Sequence, residues 1–156
     1  HDIVQVATDA HARFDAISRS YEYHLHTEKS PFDVLSFYYT YEKPNIDVLN
    51  NVAQIMLDYN DFTTFCKFHT DVKTMQCRIT ESRWEQNGSN YIYKVTSDRF
   101  LRGMIRLIVG ACLQVSRGKL SIDDVKMAMS DKRRTGNDWS VPATGLFLCD
   151  IKYPFL

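Results

Sequence analysis

The chain has 156 residues, 44% of them hydrophobic and 24% charged, which suits one globular domain with a core of its own and excludes disorder, collagen and coiled coil. No apolar run approaches the ~20 residues of a membrane span, so an integral membrane protein is not expected. Nineteen basic and nineteen acidic residues cancel, but unevenly: residues 1–60 carry four Lys/Arg against nine Asp/Glu, and residues 61–120 carry ten against five. A basic stretch of this kind in a balanced protein points to an anionic partner.

In chain order, Arg19, Tyr21, Tyr23 and Leu25 alternate with Ser20, Glu22, His24 and His26, a period of two that predicts a strand over 13–26. The aromatic run from Ser36 to Tyr41 predicts a second strand. Pro44-Asn45-Ile46-Asp47 opens a helix to about Asp58, with Val48, Val52, Ile55, Met56 and Tyr59 at helical spacing. Residues 60–73 read as a loop with a short turn. Thr74 to Glu85 and Tyr91 to Ser97 read as a hairpin across Gln86-Asn87-Gly88-Ser89. Ser97 or Asp98 is expected to cap a helix running to Ser116, with Gly118 ending it. Ser121-Ile122-Asp123-Asp124 resembles a capping box opening a helix to Ser130. Residues 131–144 read as a loop, and Leu146 to Tyr153 as a last strand stopped by Pro154. The order ββαββααβ predicts an α+β fold: a mainly antiparallel sheet with helices packed on one face, ferredoxin-like in character.

The helix expected over 99–116 carries the strongest signal. Phe100, Met104, Leu107, Ile108, Ala111, Cys112 and Val115 would share one face. Arg99, Arg102 and Arg106, with Arg117 if the helix reaches it, would lie opposite, beside Gly103 and Gly110. A solvated face normally interleaves acids with its bases, and none is offered here. Two helical glycines cost about 1 kcal/mol each against alanine, so a close backbone approach is expected to offset them.

Four scattered cysteines, Cys66, Cys77, Cys112 and Cys149, suit buried thiols of a reduced, cytosolic protein and not a zinc site. His24 and His26 share a strand face like a metal-binding pair, but no third ligand is near in sequence. The first residue is His and no signal-peptide pattern follows, which reads as a processed chain or a piece of a longer one.

Several segments together resemble one family. His11-Ala12-Arg13-Phe14-Asp15-Ala16 with Arg19-Ser20-Tyr21-Glu22-Tyr23, then Tyr59-Asn60-Asp61-Phe62-Thr63-Thr64-Phe65, then the run from Phe100 to Gly110, then Gly145-Leu146-Phe147-Leu148 with Tyr153-Pro154, are similar in order and spacing to the C-terminal domain of TruA-type tRNA pseudouridine synthases. Arg102-Gly103 stands where that family has His-His, and the loop 135–143 is longer. The Gly-Arg-Thr-Asp segment bearing the family's catalytic aspartate, which belongs to its preceding domain, does not occur in these 156 residues.

The resemblance implies a pseudouridine synthase-like half, inactive alone, of an enzyme that isomerises uridine in the tRNA anticodon stem-loop, at positions 38 to 40, without cofactor or metal. It implies that Tyr21 stacks on the target base and assists proton transfer, that Arg106 orients the catalytic aspartate, and that Leu146 packs against the base. Arg99, Arg102, Arg117 and Lys119 would then meet tRNA phosphates. The implied partners are tRNA, the missing N-terminal domain and a second copy in a homodimer. Two other readings stay open. One is a non-catalytic RNA-binding module that stacks bases on Tyr21 with Tyr23, or Tyr91 with Tyr93. The other is a dimerisation domain.

Overall fold

The structure is a computed structural model and describes residues 3–67, 73–133 and 139–155. Among the described residues, five strands form one sheet: β1 (Ser18–His26), β2 (Phe37–Tyr38), β3 (Ile79–Asn87), β4 (Asn90–Ser97) and β5 (Leu146–Lys152). Three α-helices accompany it among those residues, α1 (Ile46–Ile55), α2 (Met104–Ser116) and α3 (Ile122–Ser130), with a short 3-10 turn at Thr63–Phe65. The element order is the one the sequence predicts, and the class is α+β.

Strand β1 is the centre. One of its edges pairs antiparallel with β4 along its whole length, and β4 pairs antiparallel with β3. Its other edge is shared end to end, with β5 antiparallel opposite Ser18 to Tyr23 and β2 parallel opposite Leu25 and His26. The predicted strand over 36–41 thus shrinks to two residues.

The two faces differ as period two requires. Tyr23, Leu25, Trp84, Tyr91, Tyr93 and Val95 are buried beneath the helices. The Tyr93 hydroxyl and Ser82 Oγ lie 2.7 Å apart, and Ser82 Oγ donates to the Ala53 carbonyl of α1. The opposite face is ionic: Arg83 pairs with Glu81 and Glu85, Lys94 with Glu85 and Glu22, and Glu22 with His24. Tyr23, Tyr91 and Tyr93 are therefore core residues. The base-stacking module fails on this point, because the tyrosine pairs it needs line the covered face.

Helix α1 also closes the β3 edge. Asn50 accepts from the Trp84 amide and donates to the Trp84 carbonyl, and Gln54 donates to the Ser82 carbonyl. An open strand edge is a template for aggregation, and two side-chain amides cover this one. The capping signals hold: Asn45 accepts from the Asp47 and Val48 amides, and Ser121 and Asp124 make a reciprocal capping box. The hairpin closes with Asn87 opposite Asn90 and Gly88 at φ +61°.

Three further boundaries differ from expectation. Strand β1 begins at Ser18 and not at residue 13, because Phe14 and Asp15 donate to the His11 carbonyl in a turn. Residues 74–78 do not extend β3, because they pair with the segment 60–62: Phe62 donates to the Met75 carbonyl and Cys77 to the Asn60 carbonyl. Helix α2 starts at Met104, not at residue 99. Gly103 is its N-cap, in the left-handed region at φ +76°. Asp98 caps no helix; its carboxylate accepts from the Arg78 and Arg99 amides and from Ser97 Oγ at the corner after β4.

Helix α2 is buried on nearly every side, with ten of its thirteen residues in the core. The close backbone approach expected at its glycines occurs at Gly110 alone, and this chain's own backbone makes it. A Cβ on Gly110 would stand 1.4 Å from the Trp139 carbonyl oxygen. One on Gly103 would meet the Lys67 side chain at 2.8 Å. Of the loop expected over 131–144, positions 134–138 lie outside the described residues.

Candidate active site

Tyr21 and Leu146 reach the site from the inner face of the sheet. Tyr21 lies opposite Val95 on β4 and Leu148 on β5, and its ring meets Phe100 edge-on at 5.2 Å. Leu146 lies opposite Tyr23 and so sits diagonally from Tyr21 on the same face. Both side chains are half-buried.

Arg106 comes from the first turn of α2. Its Nε donates to the Val141 carbonyl at 2.6 Å, and the Val141 amide donates back to the Arg106 carbonyl at 3.3 Å. It is half-buried, and among the described residues no carboxylate lies within ion-pair distance of it.

Tyr23 stands among these three, a residue to which the sequence motifs assign no role at the site. Its hydroxyl donates to the Pro142 carbonyl at 2.8 Å. Burial pushes the phenol well above its ordinary pKa, and the Arg106 guanidinium pulls it part of the way back. The Tyr-x-Tyr spacing was the available signal, since both rings must share one face.

The basic residues do not form one stripe. Arg99 and Arg102 precede α2, in the loop 99–103 that carries Phe100 onto Tyr21. Arg19 joins them at this end of the sheet, donating to the Asp98 carbonyl at 3.0 Å and to the Arg13 carbonyl. Arg117 and Lys119 lie beyond the other end of α2, about 18 Å away at 1.5 Å per residue. Arg117 stacks on the Tyr41 ring, 3.6 Å from its centroid. The expectation of a single helix face holding Arg99, Arg102, Arg106 and Arg117 is therefore corrected: one end of α2 carries Arg99, Arg102 and Arg106, and the other carries Arg117 and Lys119.

The two histidines of β1 have separate partners. Nε2 of His24 meets Glu22, and Nδ1 of His26 meets Ser36 Oγ.

A family model described as tRNA pseudouridine synthase matches residues 53–154. The chain belongs to this family. It is 43% identical over 154 residues to tRNA pseudouridine synthase A of Parabacteroides distasonis, covering 99% of this chain and 61% of that protein. It is 46% identical to the Porphyromonas gingivalis protein of the same name over 96% of this chain and 60% of that one, and 33% identical to the Bacillus subtilis one. The chain spans about three-fifths of the length of these relatives. In this member of the family, Tyr21, Leu146 and an Arg106 that meets no carboxylate among the described residues lie around Tyr23. No helix among the described residues is long and apolar enough to cross a membrane.

Proposed function

We propose that this chain is the C-terminal half of a cytoplasmic tRNA pseudouridine synthase. It supplies the tyrosine, arginine and leucine side of an active site whose aspartate comes from an upstream domain of the same polypeptide. The observation that carries this reading is Arg106. A half-buried guanidinium held by one backbone carbonyl, with no carboxylate among the described residues in ion-pair distance, supports an acid arriving from elsewhere.

The chemistry breaks the glycosidic bond of a uridine, turns the base and rejoins it to the ribose through C5, releasing the C5 proton. The target base must leave its stack to be reached. Tyr21 would then stack on it and assist the proton transfer, Leu146 would pack on it, and the terminal nitrogens of Arg106 would hold the aspartate. Arg99 and Arg102 would take phosphates beside the cleft and position the anticodon arm without reading its sequence. Arg117 and Lys119 would meet a more distant part of the tRNA, with the enzyme acting as a homodimer.

Two alanine variants of the full-length enzyme test the assignment. Arg102→Ala should weaken tRNA binding and lower the salt slope by about 0.7–0.9, one phosphate's worth, with turnover at saturating tRNA retained. Arg106→Ala should lower that turnover at least about 100-fold, and Arg106→Lys should restore it only in part, because lysine lacks the bidentate fork. Identical profiles for Arg102→Ala and Arg106→Ala would contradict the assignment.

A further inference from the structure

The segment 139–143 crosses from α2 to β5 as a strap. At one end the Trp139 carbonyl rests in the space above Gly110, and the Trp139 ring lies 6.5 Å from Phe65. In the middle, Val141 exchanges two hydrogen bonds with Arg106. Next, the Pro142 carbonyl accepts from the Tyr23 hydroxyl. At the other end the Ala143 carbonyl accepts from the Leu146 amide, which turns the chain into β5. Two successive carbonyls of the strap are thus each fixed by one side chain, Arg106 for the first and Tyr23 for the second.

This bears directly on the guanidinium. Its five N–H donors lie in one rigid plane, so the carbonyl that takes Nε sets where the terminal nitrogens point. The Val141 and Pro142 carbonyls belong to neighbouring peptide groups, and the proline ring between them restricts rotation. A shift of the second carbonyl is therefore carried to the first. Buried and protonated, Tyr23 is a donor at every working pH.

We propose that Tyr23 is a positioning residue for the reaction: by fixing the Pro142 carbonyl it holds the Val141 carbonyl that orients Arg106 towards the incoming carboxylate. The inference rests on the functional reading above and adds a residue to it. A tyrosine that only fills the core would be replaced by phenylalanine without consequence for turnover.

The test is Tyr23→Phe in the full-length enzyme, with and without Arg106→Lys, assayed by tritium release from tRNA labelled at uridine C5. Tyr23→Phe keeps the ring and removes one hydrogen bond. It should lower kcat by about 3- to 10-fold, the usual reach of one such bond, with KM for tRNA unchanged. In the Arg106→Lys background, which has no Nε to orient, the same change should lower kcat no further. Trp139→Ala loosens the strap from its half-buried end and should lower kcat in the same way, which covers the case in which Tyr23→Phe fails to fold. Unchanged kcat in Tyr23→Phe, or losses that multiply across the Arg106→Lys background, would overturn the proposal. Absence of pseudouridine formation by the wild-type full-length enzyme would instead overturn the functional reading, and this proposal with it.

Discussion

Tyr21 and Tyr23 are two residues apart on one strand and differ in what the fold lets them do. Tyr23 is fully buried and its hydroxyl is committed to a backbone carbonyl. Tyr21 is half-buried and has Phe100 edge-on against its ring. Only the second can meet a base. In the full-length enzyme, Tyr21→Ala should therefore reduce turnover at least about 100-fold, the usual range for loss of a group that assists proton transfer. It should leave tRNA affinity within about threefold, since affinity is summed over many phosphates and one ring adds little to it. Near wild-type turnover would make Tyr21 a packing residue.

Among the elements, α2 shows where a sequence pattern stops being informative. Its body was legible because Met104, Leu107, Ile108, Ala111 and Val115 repeat at helical spacing. Its start was not, because Phe100 and Leu101 continue the apolar pattern by chance while packing from a loop. Only the left-handed φ of Gly103 ends the helix there, and spacing does not encode φ. Extending the helix to residue 99 is what merged the arginines into one stripe. Tyr21, Arg106 and Leu146 were singled out through motifs, whereas the strap that joins Arg106, Tyr23 and Leu146 was hidden. Its contacts are backbone carbonyls, which have no sequence signature. The glycine that admits it did leave a trace, as an unexplained cost in helix propensity.

That trace gives a stability prediction. Gly110→Ala places a methyl where the Trp139 carbonyl stands, so either the strap or the helix must move. The cost should be about 1–3 kcal/mol or more, despite the higher helix propensity of alanine, and urea unfolding of the isolated chain would measure it. A stabilised Gly110→Ala would show that the strap does not sit on α2.

Helix α3 gives a pH dependence. Bonds from the Ser121 amide and hydroxyl hold the Asp124 carboxyl below its usual pKa. Asp61 is also lowered: burial raises it, but bonds from Lys132 and Thr63 outweigh that. A group whose folded pKa is depressed adds stability above its unfolded pKa, about 3.9 for Asp. That stability is lost as pH falls through the lower, folded value. The thermal midpoint should therefore decline below about pH 4. Asp124→Asn, which can still accept one bond but does not titrate, should make this decline shallower, and an unchanged acid limb would contradict the role of the capping box.

Across the whole molecule, the acidic and basic segments meet in one sheet, where β1 pairs with β4 and Glu22 with Lys94. The ionic face of the sheet is internally paired through Glu22, Glu81, Arg83, Glu85 and Lys94. Basic side chains gather where β1 begins and α2 starts, next to Tyr21 and Arg106. The folded core, the basic end and Arg106, which meets no carboxylate among the described residues, are the parts that the proposed half-site would use. The most direct test is tritium release from unmodified tRNA labelled at uridine C5, with the isolated chain, with the full-length enzyme, and with the isolated chain supplemented by the upstream domain. The account predicts background release from the chain alone, turnover by the full-length enzyme and recovery on adding the upstream domain. Turnover by the isolated chain would contradict it.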